Sequence, residues 1–86
     1  MDSRNRYIRA LISKMSLERL TDYMEAFGLS EKEQICIIEK DVRDLSYTQI
    51  CSKHNFSPEV VKEARRRAYA KIADGIAYRK EKGRED

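Results

Sequence analysis

Between residues 46 and 58 the sequence starts a helix, ends it and starts another, leaving only a few residues for the connection. Ser46-Tyr47-Thr48-Gln49 has the form of a capping box, in which a serine oxygen takes one orphan backbone N–H and a glutamine reaches back to the cap. Asn55 follows Ile50 and Cys51 at a position that tolerates a left-handed backbone. Ser57-Pro58 then opens the next helix, since proline at the first helical position loses only an N–H that has no partner there. Two helices so closely joined must cross steeply and touch, which is the spacing of a helix-turn-helix. Such a crossing needs a small residue at the contact (Cys51), an apolar plug after the turn (Phe56) and small or branched residues on the second helix (Val61, Ala64).

Upstream signals divide the rest equally well. Arg4 to Lys14 places Tyr7, Ile8, Leu11 and Ile12 on one helical face. Ser16 is expected to cap a second helix whose inner stripe is Leu17, Leu20, Tyr23, Met24 and Phe27, with Gly28 ending it at positive φ. Ser30-Glu31-Lys32-Glu33 is another capping box, and its helix is expected to turn Ile35, Ile38 and Val42 inward and run to about Arg43, with Leu45 packed in the connection. The last helix carries Val61, Ala64, Ala68, Ile72 and Ile76 at steps of three and four. The expected fold is all-α, a bundle of four to five helices with a helix-turn-helix at 46–72 and a long C-terminal helix. Residues 1–79 form one domain, and the charged stretch 80–86 is expected to fray.

At 86 residues the chain has room for one small domain and no cleft between lobes. Charged residues make up 38% of it, above the ~25% of an average domain, so the helices have heavily solvated faces. No apolar run reaches the ~18 residues of a membrane span, and the polar amino terminus is unlike an export signal, so a cytoplasmic protein without a membrane partner is expected. Cys36 and Cys51 are therefore read as free thiols. Cys51 and His54 lie one helical turn apart, but a structural zinc wants four ligands in paired spacings, and no metal or other cofactor is expected. With no activated nucleophile or phosphate loop in view, the chain is read as non-enzymatic.

Asp44-Leu45-Ser46-Tyr47-Thr48-Gln49-Ile50-Cys51, Phe56-Ser57-Pro58-Glu59-Val60-Val61-Lys62-Glu63-Ala64 and Arg67-Ala68-Tyr69-Ala70-Lys71-Ile72 together resemble the fourth conserved region of bacterial RNA polymerase sigma factors. The resemblance spans about residues 30–73 and is shared with related helix-turn-helix regulators. It implies a last helix that enters the major groove of duplex DNA and a module that contacts RNA polymerase. It also implies base contacts from Pro58, Glu59, Lys62 and Glu63. The chain departs from the family at two of these, where a basic residue is common in place of Pro58 and glutamine in place of Glu63. Nothing matches the other promoter-reading regions, so the likeness is to the isolated module.

A helical wheel gives the same surface independently. With Val61 at zero, Ala68 and Ile72 fall within ~20°, whereas Glu59, Glu63, Arg66, Arg67 and Ala70 lie opposite and Lys62 on the flank. Lys62, Arg65, Arg66, Arg67 and Lys71 are candidates for phosphate contacts, with Arg65 alternatively laying its stem along the core edge. Glu63 is expected to accept from a cytosine amino group, so that Glu63→Gln would lose discrimination. The charge pattern leaves a second function open. Residues 1–14 and 58–86 are each net basic while 15–57 is net acidic, which would also suit a protein-interaction module that modulates polymerase or a sigma factor without reading DNA. The basic first helix has three readings: a DNA-proximal arm, a dimerisation element or a cap on the core. A single module of this size buries only ~600–1,000 Å² on DNA, so a homodimer or a tethering partner is part of the expectation.

Overall fold

A computed structural model describes the backbone of residues 3–84 and the side chains of residues 6–77. It contains α1 (Ser3–Ser13), α2 (Leu17–Ala26), α3 (Glu31–Ile37), α4 (Tyr47–His54) and α5 (Pro58–Arg84), and α3 runs on as a π-helical turn over Ile38–Val42. No strand occurs among the described residues, and none of their helices is long and apolar enough to cross a membrane. The backbone is helical through Arg84; the fraying expected of 80–86 concerns residues whose side chains lie outside those described.

The local signals act as chemistry dictates. Ser16 Oγ accepts from the Arg19 N–H, and both capping boxes are closed: Ser30 with Glu33, Ser46 with Gln49. Gly28 sits at φ 79°, where Leu29 N–H donates to Met24 O (3.0 Å) and Gly28 N–H to Glu25 O (3.1 Å). That pair of bonds is a Schellman motif, and Leu29 and Met24 close it by packing into one cluster. Asn55 takes the left-handed conformation at φ 58°, and Phe56 N–H donates to Cys51 O at 3.1 Å.

Two apolar clusters make the core. The larger joins Ile8 and Ile12 of α1, Leu20 and Met24 of α2, Ile37, and Ala68, Tyr69 and Ile72 of α5. The smaller lies between α3 and the α4–α5 pair: Cys36, Ile50, Val61 and Ala64, with Leu45, Tyr47, Cys51 and Phe56 packed against it.

The inward face of α3 differs from the expectation. Cys36 and Ile37 are fully buried, Ile35 and Ile38 only half, and Val42 is 42% exposed. Four consecutive apolar residues at 35–38 fit more than one wheel. The π turn then advances the chain by an extra residue, which carries Val42 outward and Glu39 inward. Tyr7 (51%) and Leu17 (44%), both assigned to inner stripes, are also exposed, because Ile8 and Ile12, and Leu20 and Met24, already fill the space facing α5. Phe56 is half-buried: its ring stacks on His54 at 5.6 Å, and the Lys32 ammonium lies 5.5 Å from its centroid.

Candidate nucleic-acid interface

The azimuth of α5 decides what it presents. Val61, Ala64, Ala68 and Ile72 face inward, and a buried polar cluster behind them locks the rotation. Arg65 Nη2 donates to Asp41 Oδ1 at 2.9 Å, and Arg65 Nη1 to the Tyr47 hydroxyl at 2.8 Å. The Tyr69 hydroxyl donates to the same Asp41 oxygen at 2.8 Å. The Asp41 side chain is 1% exposed and that of Arg65 14%, so this pair ties α5 to the π turn away from water. Burial, and then the neighbouring Asp41 carboxylate, push the Tyr69 hydroxyl up to about 12, so it remains a donor across the ordinary pH range. Burial works against the Arg65 charge, but Asp41 outweighs it and holds the guanidinium above its usual value. Of the two roles open to Arg65, the structure places it at the core edge, on Asp41.

With Arg65 inward, Arg66 and Arg67 point out, their side chains 69% and 64% exposed. Pro58, Glu59 and Lys62 are exposed on the same side. This stripe, from Pro58 to Arg67, extends about 14 Å along the axis at ~1.5 Å per residue, against a major groove ~12 Å wide. Three cations and two carboxylates share it.

The carboxylates are not equivalent. Glu63 accepts from Arg66 Nε at 3.0 Å and Arg67 Nε at 3.1 Å, with a further bond from Arg66 Nη2. The Arg66 bond, with smaller help from Arg67, holds its carboxyl down at about 2. Glu63 is thus ionised and engaged within its own helix, which weakens the expectation that it accepts from cytosine. Glu59 has no such partner among the described residues and faces solvent.

Lys71 lies elsewhere. Its ammonium donates to Glu33 Oε1 at 2.7 Å and to Gly28 O at 3.2 Å, so it straps α5 to the start of α3. Burial raises the Glu33 carboxyl, but Lys71 and the Ser30 N–H together outweigh it and leave it below the usual carboxylate range. Lys71 therefore stands apart from the group formed by Pro58, Glu59, Lys62, Glu63, Arg66 and Arg67.

Two polar centres escaped the sequence reading. Asp41, which orients α5, pairs with a residue 24 positions away, and no local pattern signals it. Glu39 is buried between α3 and α4, with Lys53 Nζ at 2.7 Å, His54 Nε2 at 3.0 Å and Arg43 Nε at 3.4 Å. The Lys53 bond, followed by that to His54, lowers its carboxyl below the usual value against the opposing effect of burial. The α4–α5 turn is thus tied to the π turn through His54. The one foreshadowing is the pair of basic residues Lys53-His54 at the end of α4, which could equally have served the helix dipole.

No protein-family model, curated protein or solved structure matches this chain.

Proposed function

We propose that the chain is a DNA-binding transcription regulator that lays the exposed stripe of α5 in the major groove, in the manner of the sigma-factor module its sequence resembles, and that it works alongside RNA polymerase. The observation that carries this reading is the rotation of α5. One arginine of three is buried on Asp41, and the other two are turned outward beside Lys62. A stripe with a surplus of cations on the second of two helices joined by a short turn suits contacts to phosphates flanking a groove.

The Glu63 ties favour a particular kind of binding. Because the carboxylate neutralises part of Arg66 and Arg67, affinity rests on backbone contacts more than on base readout. Glu63→Gln is therefore expected to raise affinity for all duplexes alike, by freeing two guanidiniums, rather than to erase a preference for one sequence. Fluorescence anisotropy on several unrelated duplexes checks this: a uniform gain supports the reading, and a loss confined to one sequence would make Glu63 a base reader.

The same ties support a second reading, a protein-interaction module for polymerase or a sigma factor. A face in which carboxylates and guanidiniums alternate matches a mixed-charge protein surface as well as a phosphate row. On that reading wild type and Glu63→Gln both leave duplex DNA unbound below ~100 mM salt, where non-specific attraction is strongest.

A further inference from the structure

Ile8 and Ile12 turn α1 into the core, and its outer side carries Arg6, Arg9, Ala10 and Ser13, all exposed. These four line a groove with Asp41 of the π turn and Asp44 of the connection that follows it. The groove lies beside a particular flank of α5. Arg9 Nε is 3.9 Å from Asp41 Oδ1, the oxygen that also takes Arg65 Nη2 and the Tyr69 hydroxyl. Seen down α5, Tyr69 is turned ~40° from Arg65, and Lys62 and Arg66 are turned ~60° and ~100° in the same sense. Lys71, held by Glu33, is turned ~120° in the opposite sense. Asp41, and with it Arg9, therefore stands beside the flank of α5 that exposes Lys62 and Arg66.

We infer that Arg6 and Arg9 form a second set of contacts to DNA phosphates, continuing the bound backbone from Lys62 and Arg66 across to α1. The inference rests on the DNA reading of α5 and gives the first helix a part in it beyond capping the core. Charge availability supports it. Neither Arg6 nor Lys62 has a carboxylate partner among the described residues, and Arg9 is too far from Asp41 for a hydrogen bond. These cations are free to meet phosphate, whereas Arg66 and Arg67 share Glu63. Asp41 is committed to Arg65 and Tyr69 with its side chain 1% exposed, so the exposed carboxylate that opposes the two arginines is Asp44.

The lining favours a phosphate backbone over a protein as the occupant. Among the described residues it includes no large apolar side chain, and the buried centre of a protein interface is built from such residues. A DNA interface is polar and meets positive charge.

The test follows binding of the full chain to one duplex of arbitrary sequence, by fluorescence anisotropy over a range of salt. Arg6→Ala/Arg9→Ala should bind more weakly, with a slope of log K against log salt shallower by about 1.8, as the loss of two phosphate contacts requires. Arg6→Lys/Arg9→Lys should keep the wild-type slope. Asp44→Asn, which suits the left-handed backbone at φ 58° or so as well as aspartate does, should bind more tightly. Arg19→Ala removes an exposed positive charge from α2 and should leave the slope unchanged. An unchanged slope in the arginine-to-alanine variant, or a change per charge equal to that in Arg19→Ala, would overturn the inference. The α5 reading would survive that result if Arg66→Ala/Arg67→Ala still lowered the slope. A wild type that binds no duplex would remove both. Loss of RNA polymerase binding with DNA binding intact would make the groove a protein surface and overturn the inference too. Should the alanine variant fail to fold by circular dichroism, Asp44→Asn decides, and no gain in affinity there counts against the inference.

Discussion

Removing the Asp41 carboxylate tests whether the buried polar cluster sets the rotation of α5. In Asp41→Ala the Arg65 guanidinium, 14% exposed, keeps the two tyrosine hydroxyls but loses its counter-charge. Breaking a buried pair on one side typically costs ~3–5 kcal/mol, because the remaining charge has no compensation. Arg9 contributes little to the difference, being half-exposed and 3.9 Å from Asp41. A domain of this length has ~4–13 kcal/mol of stability in total, so the variant should lie near its unfolding threshold. Each kcal/mol shifts the melting temperature of so small a domain by ~4–8 °C, which predicts a fall of well over 10 °C. The companion variant Asp41→Leu/Arg65→Met removes both charges and should recover most of the ~3–5 kcal/mol lost in Asp41→Ala. Urea unfolding followed at 222 nm gives both values. A loss below ~1 kcal/mol for Asp41→Ala, or a double variant no more stable than the single one, would show that apolar packing alone orients α5.

Two further perturbations probe the scaffold. A Cβ at Gly75 would lie 2.6 Å from two carbons of the Phe27 ring, so Gly75→Ala pits a gain of ~1 kcal/mol in helix propensity against ~1–3 kcal/mol of overpacking. Net destabilisation is expected in the wild-type background and net stabilisation in Phe27→Ala; the same sign in both, by thermal unfolding, would mean that Phe27 does not seat on Gly75. The Glu33 and Glu39 carboxyls are both held below the 4.5 of an unperturbed glutamate. Because the folded-state values are lowered, their contribution is fully present above the unperturbed value of 4.5 and is lost as pH falls from there through the folded-state values. Stability should thus decline on acidification below about 4.5, and less steeply in Glu39→Gln; identical pH slopes for the two proteins would contradict the assignment.

What the sequence made legible was local. Ser16, Ser30 and Ser46 cap where they stand because a serine oxygen reaches only the next turn, and Gly28 and Asn55 end helices through their own backbone preferences. Val61, Ala64, Ala68 and Ile72 were readable for the same reason: one amphipathic stripe on a long helix has a single inward face. The run Ile35-Cys36-Ile37-Ile38 was not, since apolar residues on every side of a helix leave its rotation to tertiary contacts and to the π turn. At the candidate interface, the outward residues Glu59, Lys62, Arg66 and Arg67 followed from the wheel, whereas Lys71 and Arg65 were drawn elsewhere by Glu33 and Asp41, distant in sequence. Long-range charge pairs carry no periodic signal.

The central claim is that the outward face of α5 binds duplex DNA through its arginines, and the salt dependence of affinity addresses it most directly. Each phosphate contact contributes ~0.9 to the magnitude of the slope of log K against log salt. Arg66→Ala/Arg67→Ala should therefore bind more weakly with a slope shallower by about 1.8, while its melting temperature stays near that of the wild type, because both side chains lie on the surface. Equal affinity and equal slope in the two proteins, or no duplex binding by either, would contradict the account.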